Sequence, residues 1–276
     1  MTRTSGDPAV RSNFDTVAES YDQNGVEYFR PVARRLVELA ELGTGEYVLD
    51  IGCGRGAALF AAADAVAPTG QVVGIDLSEA MIENTAAELR RQRAHRIVVV
   101  TMDGTSPDFA PGYFDAVIGS NSVHMVPDLE RAFARYRKLL APGGKLAVCA
   151  PASVLEPEPR VFGLRSIAEA SARFSVSTRV YPQTEAFGGP AKAEADLRRA
   201  GFEDVRLHVE DVVLRAASPE QFVRWTWTHG MRIMWDTMPE DQRDAVAREI
   251  TEEAEEFRIA DGTIEIRSPI RYIIAR

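Results

Sequence analysis

Short apolar blocks alternate with amphipathic stretches from residue 46 to residue 150. EYVLDI (46–51), QVVGID (71–76), RIVVVTM (96–102), YFDAVIGS (113–120) and GKLAVCA (144–150) read as strands. Between them, residues 56–67 are Ala-rich and helical. Ser78 is placed to cap a helix over 79–93, with Glu79 in its first turn, and Asp128 to begin one over 128–140. Strands that are apolar throughout, each joined to the next through a helix, predict a parallel sheet covered on both faces. Upstream, residues 14–23 read as a short amphipathic helix. A second helix, with Pro31 in its first turn, runs to about Leu42 and ends at Gly43 and Gly45.

After Pro151 the rhythm changes. The pattern predicts a helix over 157–175, a loop over 176–190 and a helix over 191–200 ended by Gly201. A long strand follows over 202–216, then helices near 219–238 and 239–258, and a last strand over 263–276 interrupted at Pro269. The expected fold class is therefore α/β, a seven-stranded, mainly parallel sheet with helices on both faces and a helical cap. The chain reads as one domain over 1–276. It has lid helices in 1–45, a ligand-binding core in 46–151, and the remaining strands plus an inserted cap in 152–276.

Within the cap, Trp227, Met231, Met234 and Met238 fall on one helical stripe, and Phe222, Trp225 and His229 on another. A helix apolar on two faces is covered on both sides. One face is expected on the sheet and the other against a substrate pocket or a subunit interface, the latter making a homodimer or higher homo-oligomer. Plain core is the alternative for both.

Composition narrows the function. The chain has 276 residues and a formal net charge of −9, which opposes a nucleic-acid backbone. It has two cysteines, Cys53 and Cys149, each at the edge of an apolar run and neither within a Cys-x-x-Cys or Cys/His cluster. That argues against a disulfide framework and against a structural metal. The first residues hold no apolar run, and no stretch is long and apolar enough to span a bilayer. The expectation is a cytoplasmic enzyme with a small-molecule substrate, no nucleic-acid or membrane partner and no metal.

The strongest chemical signal is VLDIGCGRGAA (48–58): a strand delivers Asp50, and Gly52, Gly54 and Gly56 follow at every second position. Such a loop lets backbone approach a ligand at a helix N-terminus. Asp76 ends the next strand in GIDLS, where a carboxylate can accept both hydroxyl hydrogens of a ribose. The spacing D-x-G-x-G-x-G differs from the G-x-G-x-x-G of dinucleotide binders and resembles motif I of the class I S-adenosylmethionine-dependent methyltransferases. FDAVIGSNSVHMVPD (114–128) resembles their motif IV, and LLAPGGKLAV (139–148) the turn before their fifth strand. The FDTVAESYD segment resembles the N-terminal helix of the subgroup that includes ubiquinone and menaquinone biosynthesis methyltransferases. The resemblance is close over 46–150 and loose in the C-terminal third.

It implies a Rossmann-like fold, S-adenosyl-L-methionine as cofactor and methylation of a small metabolite. Cofactor contacts would come from Asp50, Gly52, Gly54, Gly56, Asp76, Leu77, Met81, Asp103, Gly104, Ser120 and Asn121, with Asp103 and Met81 near the adenine. Tyr21 would reach the cofactor or substrate from a lid helix.

Methyl transfer needs a base only where the nucleophile carries a proton. His124, in the loop after the fourth strand, is the candidate, its alternative being a pocket-shaping role. The cap's aromatic and Met content suits a mainly apolar or aromatic substrate from specialised biosynthesis, held between the Tyr21 helix and the Trp-bearing helix. Arg160, Arg165, Arg173 and Arg179 are candidates for an anionic substrate, with surface charge as the alternative. A second reading shares every motif: a catalyst such as a cyclase that binds S-adenosylmethionine without methylating. A dehydrogenase does not match the glycine spacing. A base-amine methyltransferase would carry Asn/Asp-Pro-Pro-aromatic where this chain has SNSV.

Overall fold

The structure is a computed structural model and describes residues 8–152, 159–176 and 186–276. Its sheet has seven strands in the order β3-β2-β1-β4-β5-β7-β6. The first five are β1 (Tyr47–Ile51), β2 (Gln71–Asp76), β3 (Ile97–Thr101), β4 (Phe114–Ser120) and β5 (Leu140–Pro151), all parallel. β6 (Val205–Ala216) and β7 (Ile264–Ala275) complete it. β7 runs antiparallel to both β5 and β6. The chain runs outward from β1 to β3 and then returns to β4 on the other side of β1. The carboxyl ends of β1 and β4 therefore flank a switch point, where open α/β sheets bind ligands.

The helices that the five parallel strands require are α3 (Ala57–Ala65), α4 (Glu79–Gln92) and α5 (Leu129–Leu139). Ser78 Oγ accepts from Met81 N–H at 3.1 Å and Asp128 Oδ1 from Arg131 N–H at 3.1 Å, so both expected caps form. α2 (Phe29–Ala40) buries Val32, Ala33, Leu36, Val37 and Ala40 against the sheet. Pro269 does not interrupt β7: it lies opposite Asp211, one residue beyond the last pair with β5. A proline there removes no inner-ladder donor.

Four expected elements shift. The N-terminal helix α1 is Pro8–Val17 rather than 14–23. It ends where Arg55 Nη1 donates to the carbonyl of Ala18 at 2.9 Å. The helix expected at 157–175 is α6 (Arg165–Arg173), preceded by a turn with Phe162 and Gly163 both at positive φ. The helix expected at 191–200 is α7 (Pro190–Arg199), with Pro190 in its first turn. The loop expected at 176–190 falls mostly outside the described residues.

The single helix expected over 219–238 is two, α8 (Pro219–Thr226) and α9 (Arg232–Thr237), followed by α10 (Glu240–Glu255). The break has a side-chain cause. Thr226 and Thr228 hydroxyls donate to the carbonyls of Val223 and Trp225, and His229 Nδ1 accepts the N–H of Met231 at 3.3 Å. Side chains thus take over backbone partners that a continuous helix would use itself.

That break collapses the two expected stripes into one core. Trp225, Met231, Met234, Trp235 and Met238 are all fully or almost fully buried within the chain, so none of them supplies a subunit face. Trp225 meets Tyr28 and Phe162 edge-on, and Trp227 stacks on Trp235 at 4.8 Å. Trp235 Nε1 donates to buried Thr226 Oγ1 at 2.9 Å. Thr226→Val keeps the shape and removes that acceptor, so the indole N–H is left buried without a partner. Stability should fall by about 1–3 kcal/mol, read from the midpoint of urea unfolding at unchanged slope. An unchanged midpoint would refute the role given to this hydrogen bond.

Candidate active site

Two joined cavities open at the carboxyl ends of β1 and β4. The first, about 1120 Å³ including its mouth, is floored by the loop after β1. Gly52 has φ +67, and a Cβ there would meet Ser122 Cβ at 2.5 Å, so this position takes no side chain. Gly54 differs: it is also at positive φ, but a Cβ would find nothing within 4 Å, because it would project into the cavity. Gly56, also expected among the ligand contacts, is the N-cap of α3 and does not line this cavity; a Cβ there would meet Phe60 at 2.6 Å.

Asp76 fixes this loop. Its Oδ2 accepts from Gly54 N–H at 2.8 Å and its Oδ1 from Ser78 N–H at 2.9 Å. Each oxygen keeps lone-pair capacity for a further donor. Burial raises its carboxyl above the usual range, and these backbone donors pull it back down. Asp50, at the end of β1, is buried and lines the same cavity, yet neither carboxylate oxygen has a partner among the described residues. Desolvation, with Asp76 nearby, pushes it up to about 8. Leu77, Met81, Asp103, Gly104, Ser120 and Asn121 also line this cavity. Asp103 accepts from Thr105 N–H at 2.8 Å.

The second cavity, about 740 Å³ with its mouth, has aromatic walls: Phe14, Tyr21, Tyr28, Phe29 and Phe162. Its polar groups are Asn121, His124, Arg160, His229 and Ser268. Phe14, Tyr21, Phe29, Asn121 and Met125 border both cavities and so form the neck. Asn121 sits there with a left-handed backbone (φ +53), and neither amide atom has a partner among the described residues. Strain of this kind in a non-glycine residue persists where surrounding structure over-determines it, commonly at functional sites.

Tyr21 stacks on Phe29 at 5.0 Å, and burial drives its phenol upward, so it is a donor and not a phenolate. α1 is held over the first cavity by Ser78 Oγ donating to Asp15 Oδ1 at 2.5 Å, and by Arg55.

His124 lies in a one-turn helix, Val123–Met125, and lines only the second cavity. Its Nδ1 has no partner among the described residues, and burial pushes the imidazole down to about 4. The expected substrate wall of tryptophans is not there, since Trp225, Trp227 and Trp235 line neither cavity. Phe162 and His229 take that place. The Phe-Gly at 162–163, a turn signal beside an aromatic, was the available hint; nothing local in the sequence set His229 apart from the helix around it.

Of the expected arginines, Arg160 reaches the rim, with its guanidinium on Gly163 O at 3.1 Å. Arg165 and Arg173 pair with Glu169 and Glu249 on the surface. Arg179 lies outside the described residues. Also among the described residues, no group of three or more His, Cys, Asp or Glu converges as a metal site, and no helix is long and apolar enough to cross a membrane.

Residues 48–144 match a methyltransferase domain family. The chain is 40% identical over 274 residues to nocamycin O-methyltransferase of Saccharothrix syringae, covering 95% of this chain and 96% of that protein. It is 46% identical over 142 residues to aklanonic acid methyltransferase of a Streptomyces species, covering 51% of this chain and 64% of that protein. Among solved structures, the [4+2]-cyclase SpnF superposes with a TM-score of 0.56 at 21% identity, over 97% of this chain and 92% of that one. The last is a likeness of fold alone, which a cyclase and a methyltransferase share. The sequence identity over almost the whole chain is what decides between them: this protein belongs to the class I S-adenosylmethionine-dependent methyltransferases and methylates a small metabolite.

Proposed function

We propose that the methylated atom is an oxygen of a mainly apolar, aromatic metabolite held in the second cavity, and that His124 accepts or orients the proton of that oxygen. The observation that carries this reading is the neck. A cofactor-sized cleft and an aromatic chamber meet at Asn121 and Tyr21, and His124, between neck-lining Asn121 and Met125 in the chain, lines the chamber with Nδ1 unpartnered among the described residues. The relatives agree in kind, one named as an O-methyltransferase and another for an acid.

The first cavity fits S-adenosylmethionine by its own chemistry. Asp76 offers a fixed pair of acceptors for ribose hydroxyls. Asp50 has two orphaned oxygens for an ammonium group, and Gly54 leaves open the space a side chain would fill. When bound, the cofactor supplies a sulfonium-activated methyl group. This chain's residues do the rest. Gly52 and Gly54 keep the loop low, and Tyr21 and Phe29 close the neck to water. Asn121 presents its amide where the two cavities meet. Positioning and dehydration of this kind convert a bimolecular displacement into a near-unimolecular one.

His124 remains neutral at ordinary pH, so its lone pair is available to a hydroxyl, enol or carboxyl proton. A base held this low suits an oxygen acid of comparable acidity better than an amine, which favours an acidic hydroxyl or carboxyl group.

Asp76→Ala removes two acceptors and also releases the glycine loop. The dissociation constant for S-adenosylhomocysteine in calorimetry should rise by well over tenfold. Unchanged affinity would exclude Asp76 from the ribose site. Gly54→Ala should lose about 1–2 kcal/mol to its left-handed backbone and lose ligand, whereas Gly52→Ala, which adds a clash with Ser122 to the same backbone strain, should lose clearly more stability in urea unfolding; the reverse order would invert their assignment.

Asp50 should be largely protonated without ligand, because its folded value lies above neutrality. Ionisation on contact with an ammonium group then releases protons at pH 7. Calorimetric enthalpies in phosphate and Tris should differ accordingly, and Asp50→Asn should abolish the difference.

His124→Gln should lower turnover by about 10²–10⁴ with cofactor affinity retained. Protonation disables an acceptor whose value is near 4. The wild-type rate should therefore be insensitive to this group above about pH 5.5 and fall below it. A His124-dependent limb between pH 6 and 7 would contradict the buried environment.

A further inference from the structure

Three side chains lining the second cavity, Tyr28, Ser268 and His229, bury a polar atom that methyl transfer does not use, and of these His229 alone presents a donor whose direction the ring fixes. His229 is 2% exposed and lines the chamber beside Gly230. Its Nδ1 accepts the N–H of Met231 at 3.3 Å, which assigns the ring proton to Nε2. Nε2 is buried and has no partner among the described residues. The ring cannot turn to find one. Trp225 lies at 4.1 Å on one side, and Phe29 and Phe162 meet the imidazole edge-on at 5.5 Å each.

Three alternatives fit this geometry poorly. A purely structural ring needs only Nδ1, on the Met231 N–H, and would leave Nε2–H stranded. A general base would need a free lone pair, and the lone pair of this neutral imidazole, on Nδ1, is already taken by the Met231 N–H, so Nε2 can only donate. An anion receptor would need a cation, and the guanidinium on the rim, Arg160, already holds Gly163 O and faces Glu253 at 3.9 Å. What is left is a fixed neutral donor in an apolar chamber, suited to an uncharged carbonyl oxygen.

We propose that His229 Nε2–H is a specificity donor for a keto or quinone carbonyl on the substrate, at a site separate from the oxygen that faces His124. The substrate class is then an aromatic compound with two functions: an acidic oxygen to be methylated and a conjugated carbonyl elsewhere on the frame. The aromatic walls stack the frame, and the two polar groups fix which end enters the neck. Rejection of analogues without the carbonyl follows, because they leave the donor buried and unpaired.

This inference rests on the second cavity being the acceptor site, and the test separates the two. Two probes share shape and hydroxyl and differ only at the far end: 6-acetyl-2-naphthol and 6-ethyl-2-naphthol. Their dissociation constants are measured by calorimetry with S-adenosylhomocysteine present. The wild-type protein should bind the acetyl compound about tenfold or more tightly than the ethyl compound. His229→Phe should erase the preference by weakening the acetyl compound alone, and His229→Gln, which keeps an N–H donor, should restore part of it. Unchanged S-adenosylhomocysteine affinity certifies that each variant is folded.

Equal wild-type affinities, no saturable binding of the acetyl compound, or a preference that survives His229→Phe would each overturn the role of His229. Phe162→Trp, which fills the chamber, should weaken both probes together. If it weakens neither, the probes bind elsewhere, and the acceptor-site reading falls along with this inference.

Discussion

The carboxylate of Asp76 ties together two segments that would otherwise be independent. One oxygen accepts the Gly54 N–H and the other the Ser78 N–H. The glycine loop after β1 is thereby fastened to the end of β2 and to the start of α4. Thr85 Oγ1, from within α4, donates to the Gly54 carbonyl at 2.8 Å and repeats the tie about two turns deeper. Charge-assisted hydrogen bonds to a carboxylate, such as these part-buried ones, are among the stronger ones. The floor of the first cavity is thus fixed by the protein's own hydrogen bonds, and preorganisation of this kind lowers the ordering cost of binding.

The roof depends on that floor. Ser78, whose backbone N–H is held by Asp76, uses its hydroxyl both to cap α4 and to hold Asp15 on α1. Arg55, two residues from the bend at Cys53, reaches across to the Ala18 carbonyl. Tyr21 follows from where α1 ends, and its stack on Phe29 closes the neck. From Phe29 the aromatic contacts continue through Trp225, Phe162 and His229 into the cap. One continuous set of contacts therefore joins the floor of the first cavity, α1 and the second cavity, and the half-buried carboxylate of Asp76 anchors its start.

Within this frame, polar atoms without partners carry the functional information. Asp50, Asn121, His124 and His229 each bury at least one such atom, and each lines a cavity. Buried polar groups are ordinarily paired, so orphans gathered along one continuous space mark where ligand atoms belong. Their chemistry divides with position: an acid in the first cavity, an amide at the neck, and neutral imidazoles in the second.

The sequence alone determined the order of strands and helices over 46–151, the caps at Ser78 and Asp128, and the cluster of Asp50, Gly52, Gly54, Asp76 and Asp103. Those features are local: a parallel strand is apolar throughout, a cap is a short-range hydrogen bond, and the binding loop is a contiguous motif at the end of a strand. The acceptor chamber was not legible in the same way. Phe162, Ser268 and His229 come from three segments that meet only after β7 inserts between β5 and β6. Trp225, Trp227 and Trp235 looked like a substrate wall because helical spacing was carried through 219–238. Thr226, Thr228 and His229 instead redirected backbone hydrogen bonds, broke the helix and turned the tryptophans inward. Gly56 read as a ligand contact by its motif position, yet Phe60 occupies its open side. Periodicity reports which residues are apolar; only the packed structure decides whether such a residue faces another side chain or the space left for a ligand.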